Sequence, residues 1–275
     1  YWPPFAAQGK GSITLRHLLT HTSGLPAWQP FYQACSTREE VFAAVAAAPL
    51  ESAPGEVFRY SDLGFMTLGA LVEQVAGQRL DEFCRERIFR PMGILHLLFV
   101  PPAEQWHLCV ATERCPWRGR VLRGQVHDEN AFACGGVAGH AGLFGTAEAC
   151  GRFLLALLAA LRGEETYSWQ GEEWPTILEP ETVQTMLSPQ PGAAEEVYFL
   201  GWRRILYGEG RHRASQWAFG HWGFTGTMVW ADPARDLVVV LLTNRVHPSR
   251  NNNRHAELRA RWVAEALRQA DREGA

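Results

Sequence analysis

The chain has 275 residues, 47% of them hydrophobic and 20% charged, which is enough for a sizeable buried core. Its formal net charge of -3, with arginines scattered rather than gathered in a stripe, gives no basis for nucleic-acid binding. No apolar run reaches the roughly 18 residues needed to span a bilayer, and the six cysteines lack the dense spacing of a disulfide scaffold, so they read as free thiols.

Apolar residues at helical spacing predict a helix over 13–19, stopped by Thr20-His21-Thr22-Ser23-Gly24-Leu25-Pro26. Thr37-Arg38-Glu39-Glu40 reads as a capping box that opens an alanine-rich helix to about Ala48. After the Pro54-Gly55 turn, Leu63, Met66, Ala70, Leu71 and Val75 mark an amphipathic helix that starts at Asp62 and ends at Gly77. A further helix over about 80–89 stops at Pro91-Met92-Gly93. Residues 96–130 lack clear periodicity and predict long loops with short strands. Cys109 and Cys115, near His107, have the wrong spacing for the common zinc knuckle. The glycine-rich stretch 135–145 lacks Gly-Lys-Ser/Thr and is no phosphate loop.

Thr146 then caps a strongly apolar helix to about Leu161. Residues 163–175 are polar and aromatic, and 163–196 as a whole reads as a surface insertion with a short helix over 181–187. Strands follow over 197–207, 216–221, 225–231 and 237–243, the last two joined by the turn Asp232-Pro233-Ala234-Arg235-Asp236. An amphipathic helix over 253–272 ends the pattern. Helices first and antiparallel strands last predict one α/β (α+β) domain over 1–275, with helices packed on an antiparallel sheet.

Two short motifs carry chemistry. Tyr60-Ser61-Asp62 follows Pro54-Gly55-Glu56, and His221-Trp222-Gly223 runs into Phe224-Thr225-Gly226-Thr227. Alone, the first is also a common turn into a helix with Asp as N-cap. Their order and flanks, including residues 13–26 and 54–64, give a more specific reading. The chain resembles the penicillin-recognising serine hydrolases, in the branch that holds class C β-lactamases and penicillin-binding-protein-like enzymes. The resemblance covers most of residues 11–250 outside 163–196, and it implies a β-lactamase/transpeptidase-like fold.

Acyl transfer needs a nucleophile, a base for its proton and donors for the developing oxyanion. The resemblance implies that Tyr60 is the proton-relaying phenol, a role that needs a pKa lowered by a neighbouring cation. His221 stands for the frequent Lys and would hold partial positive charge near neutral pH. Gly223 and Phe224 lie on the oxyanion strand, with the Phe224 N–H as a donor. Trp222 would narrow the site or stack on a substrate. Asp62 takes the substrate-binding place of the usual Asn, but it cannot donate an amide hydrogen bond, which leaves it a role as helix cap.

The Ser-x-x-Lys element that supplies the family's nucleophile does not occur in the chain. Lys10 is its single lysine, Ala7 stands where the serine would be, and Ser23 and Ser61 read as structural. Because the chain opens on Tyr1-Trp2-Pro3, wording that follows the nucleophile helix in the family, that helix and the first strands are expected upstream, leaving an exposed strand edge. The expected function is acyl-enzyme hydrolysis of an amide or ester, inactive in this form. The alternative is a non-catalytic pseudoenzyme or binding module for peptidoglycan-like peptides.

Residues 126–131, 135–144 and 242–248 further resemble a bacterial subgroup with D-alanyl-D-alanine carboxypeptidase-like members. His127 and His140 are expected to line the substrate cleft. With Asp128 and Glu129 they read as a hydrogen-bonded wall rather than a metal site, so neither metal nor other cofactor is expected. The expected partner is a small molecule or peptidoglycan-like peptide; a peptidoglycan role fits the cell envelope, and a cytoplasmic esterase is the alternative.

Overall fold

The computed structural model describes residues 2–6, 9–190, 198–252 and 254–273. A helical region comes first: α1 (Pro3–Ala6), α2 (Leu15–Leu19), α3 (Arg38–Ala47), α4 (Asp62–Ala76), α5 (Leu80–Cys84) and, later in the chain, α6 (Glu129–Ala133). Its starts follow the local code. Thr37 and Glu40 form the expected capping box of α3, and Gly77 ends α4 in the left-handed conformation that a residue without Cβ adopts cheaply. Phe5, Leu18, Val41, Val45, Leu63, Met66 and Ala131 join α1, α2, α3, α4 and α6 in one core. The expected helix over 80–89 is an α-helix only to Cys84 and widens into a π-turn over Arg85–Phe89.

Residues 96–130 contain short pieces, as expected. Strand β1 (Leu97–Phe99) pairs antiparallel with β4 (Leu143–Gly145), and β2 (Arg114–Cys115) pairs with β3 (Arg120–Val121). Helix α7 (Ala147–Leu161), capped by Thr146, leads into a hairpin of β5 (Thr166–Trp169) and β6 (Glu172–Pro175), then α8 (Pro180–Met186). The hairpin is anchored on its inner side. Tyr167 is buried, and its hydroxyl donates to the Met92 carbonyl at 2.5 Å. Residues 191–196 of the expected insertion lie outside the described residues.

The sheet is fully antiparallel, in the order β10 (Leu237–Leu242), β9 (Thr227–Asp232), β8 (Phe219–Trp222) and β7 (Arg203–Arg204). The strand expected over 197–207 shrinks to β7 and one bridge, Tyr198 to Arg203, with residue 197 outside the described part. The strand expected over 216–221 starts later, because residues 215–218 form a turn held by the Ala218 N–H on the Ser215 carbonyl at 3.1 Å.

Side chains alternate across the sheet. Val229, Ala231, Val238 and Phe219 face α7, while Met228, Trp230, Val239 and Trp222 face the last helix, α9 (His255–Glu273). The result is a sheet flanked by helices on both faces, beside a separate helical region. Among the described residues β10 pairs only with β9. No helix among them is long and apolar enough to cross a membrane.

Candidate active site

The Tyr60-Ser61-Asp62 segment is stapled to the 20–27 loop before it enters α4. The Ser61 N–H donates to His21 Nδ1 at 3.0 Å, the Asp62 N–H to the Ala27 carbonyl at 2.9 Å, and the Arg59 N–H to the His21 carbonyl at 2.8 Å. Ser61 rather than Asp62 is the N-cap. Its Oγ accepts the Gly64 N–H at 3.1 Å and donates to the Pro26 carbonyl at 2.7 Å. The expected capping role of Asp62 is thereby corrected: a hydroxyl can accept from the helix and donate to the loop at once, which a carboxylate cannot. Ser61 and Ser23 are both buried.

Tyr60 sits in an aromatic group that sequence reasoning did not identify. Its ring centre is 4.4 Å from that of His21, which also packs against Phe58, Phe65 and Tyr198. His221, brought in on β8, places its ring centre 6.2 Å from that of Tyr60. The fold therefore unites the two principal motif residues.

The charge states differ from expectation. Burial, then Arg203, lowers the His221 pKa to about 4, so it is neutral at neutral pH rather than partly charged. His21 falls to about 3 through burial, His221 and Arg203. Tyr60 keeps 44% of its surface exposed, yet burial first and then Asp62 and Tyr198 push its phenol above the ordinary value. Arg203 is the cation that opposes this rise.

Other members of the set are placed as follows. The Trp222 ring centre lies 3.9 Å from the Arg203 guanidinium and 4.1 Å from that of Arg259, on the α9 side of the sheet. Phe224 is exposed. It stacks on His127 at 5.7 Å, and its carbonyl accepts from Arg245 Nε at 2.7 Å. Gly223 begins the turn, its N–H donating to the Thr227 carbonyl at 2.8 Å, and an added Cβ would stand 2.4 Å from Thr227 Oγ1. Trp222, Gly223, Phe224, Arg245, His255 and Arg259 line a recess of about 250 Å³.

The wall expected of His127, Asp128, Glu129 and His140 divides in two. His127 Nε2 pairs with Glu113 at 2.9 Å, and Arg250 bridges Glu113 and Glu129. Burial raises the Glu113 pKa, but the hydrogen bonds from Arg250 and His127 outweigh it and hold the carboxyl at about 2. His140 Nε2 meets Asp128 Oδ1 at 2.9 Å; Asp128 also caps α6 by accepting the Ala131 N–H. Burial disfavours the charged form of His140, but the Asp128 bond and the Asp62 carboxylate prevail and raise its pKa. Glu113, Arg203 and Arg250 carried no local signal in the sequence, since their partners are distant in the chain. His21 did carry one, in its place beside the Thr22-Ser23-Gly24 stop.

Comparison with known proteins bears on family and fold. The Beta-lactamase family profile matches residues 1–262. The N-acetylmuramyl-L-alanine amidase of Bacillus subtilis (strain 168) is 32% identical over 279 residues, 90% of this chain and 60% of that protein. An Escherichia coli (strain K12) protein, provisionally named a D-alanyl-D-alanine carboxypeptidase, is 32% identical over 291 residues, 92% of this chain and 64% of its own. The chain thus spans about three fifths of the length of the curated relatives it matches. The crystal structure of a penicillin-binding protein homolog from Caulobacter crescentus shares the fold, with a TM-score of 0.66 at 19% identity over 98% of this chain and 74% of that one. This chain belongs to the Beta-lactamase family.

Proposed function

We propose that the chain forms the walls of a serine hydrolase site that opens an amide or ester through an acyl-enzyme. Tyr60 relays the proton, His221 acts as a neutral hydrogen-bonding partner, and the Phe224 N–H serves the oxyanion. The observation that carries this reading is the pairing of the Tyr60 and His221 rings at 6.2 Å from segments far apart in sequence. The names of the two curated relatives, an amidase of muramyl-alanine and a D-alanyl-D-alanine carboxypeptidase, favour a peptidoglycan-type peptide as substrate. With a raised pKa, the Tyr60 phenol needs a cation beside it before it can accept a proton near neutral pH.

A second reading, a non-catalytic module that binds such peptides, draws support from one observation. Ser23 and Ser61 are buried, and the Ser61 hydroxyl is spent on the helix cap and loop. Labelling with a fluorescent penicillin or a fluorophosphonate separates the two readings, applied to residues 1–275 and to the protein isolated from its source. Residues 1–275 should stay unlabelled; covalent label on Ser23 or Ser61 would overturn the assignment. The isolated protein should be labelled on a Ser-x-x-Lys serine, and Tyr60→Phe should slow that labelling by about 100-fold or more. An unlabelled isolated protein decides for the binding module.

A further inference from the structure

Trp222 packs on the α9 side of the sheet, whereas its neighbour His221 reaches Tyr60 on the other face. The recess of about 250 Å³ lies behind the catalytic motif, where Trp222, Gly223 and Phe224 meet Arg245 and the start of α9. Two of its lining residues are arginines, and its described lining holds no Asp or Glu. The one acidic residue in the first turn of α9, Glu257, pairs with Arg261 on the exposed side of the helix.

Both arginines are fixed by neutral groups. Arg245 donates Nε to the Phe224 carbonyl at 2.7 Å and Nη1 to the Arg250 and Asn252 carbonyls at 3.1 and 3.0 Å. Arg259 donates Nε to the Tyr207 hydroxyl at 2.9 Å and lies 4.1 Å from the Trp222 ring centre. Among the described residues neither meets a carboxylate, so Nη2 of Arg245 and both terminal groups of Arg259 keep their donors free. Arg203 brings a third guanidinium to 3.9 Å from the same indole, and its Nε is buried without a partner among the described residues. Elsewhere the half-buried arginines find acids: Arg38 has Glu73, and Arg235 has Asp232 and Asp271. His255, which also lines the recess, is 8% exposed, and its Nε2 is buried without a partner among the described residues. Burial first and then Arg259 lower the His255 pKa, and Arg245 adds to this, as positive charge left unneutralised would.

We propose that this recess binds a dianionic oxyanion, inorganic phosphate or the phosphate group of a small ester. Guanidinium groups present planar forks of donors that suit phosphate oxygens, and two of them from separate segments match two negative charges better than the single charge of a carboxylate. His255 and Ala256, the first two residues of the 19-residue helix α9, line the same recess, and a helix start favours an anion. The recess is several times the roughly 30 Å³ share of a water molecule, so it has room for phosphate with a small substituent. It opens on the face of β8 away from the Tyr60–His221 pair, so it stands or falls apart from the proposed hydrolysis.

The test is calorimetric titration of the full chain with inorganic phosphate at constant ionic strength, beside a titration with acetate as the monocarboxylate. One equivalent of phosphate should bind, with acetate weaker by about 10-fold or more. Arg245→Gln and Arg259→Gln should each weaken phosphate by about 10-fold or more, the loss of hydrogen bonds to a charged group. Arg261→Gln removes the same charge from the exposed side of α9, where Arg261 pairs with Glu257, and should bind as the parent does. Circular dichroism checks that each variant is folded; if one recess variant is not, the other and the parent isotherm decide. Absence of a one-equivalent phosphate isotherm, acetate binding as tight as phosphate, or equal affinities in Arg261→Gln and the folded recess variants would overturn the proposal.

Discussion

His221 shows how burial changes the meaning of a residue type. A histidine in the place of the family's frequent lysine suggests a cation, but a ring enclosed by protein and faced by Arg203 keeps its proton off until about pH 4. The sign of the stability effect follows. Between the ordinary value near 6.5 and about 4, the unfolded chain binds a proton that the folded chain refuses, so stability falls as pH drops through that window and is unaffected above it. Each unit is worth roughly 1.4 kcal/mol. Urea unfolding at pH 7.5 and 4.5 should therefore show His221→Gln losing about 2–3 kcal/mol less than the parent over that interval. Equal losses would place the histidine in solvent instead. His21, lowered to about 3, acts in the same direction, so the parent should be markedly acid-sensitive. Glu113 differs: its carboxyl, held at about 2, contributes stability above the ordinary carboxylate value that is lost only as pH falls towards 2.

Helix α4 is the element on which the site depends. Its start is written locally, in Ser61 three residues before Gly64, and its end in Gly77. What it packs against is not written locally. Gly139 lies so close that an added Cβ would stand 2.0 Å from the Phe65 carbonyl oxygen and 2.9 Å from the Gly69 N–H nitrogen. This backbone contact carries His140 to Asp62. Gly139→Ala must push the loop from the helix, and a loss of about 2–4 kcal/mol is expected in urea unfolding. Gly151→Ala makes a suitable control, since its added Cβ would meet only the Val240 methyl at 4.0 Å. Gly24 plays a similar part on the other side: with φ of 79°, it brings the 20–27 loop against the Ser52 carbonyl. The Thr-His-Thr-Ser-Gly-Leu-Pro wording was legible as a helix stop. Its work as the clamp on Tyr60 was not, because the hydrogen bonds reach from residues 21, 26 and 27 to residues 59–62.

At the scale of the molecule, a sheet held between α7 and α9 stands beside a helical region, and the motifs meet where the two approach. Trp230 ties the sheet to α9: it is fully buried, and its indole N–H donates to the Ile205 carbonyl at 3.0 Å. Trp230→Ala should cost about 3–5 kcal/mol, read as a lower urea midpoint with little change in slope. The sequence by itself determined α2, α3, α4, α7, α8 and α9, the three longer strands with the turn between the last two, the caps of α3 and α7 and the two motifs, because these follow from periodicity and from bonds between residues three or four apart. Tertiary structure alone decided the neutral state of His221, the raised phenol of Tyr60, the division of the 127–140 wall and the arrival of Asp62 beside His140. Those depend on burial and on charges brought together from distant segments, and a pattern along one chain does not specify distances across the fold.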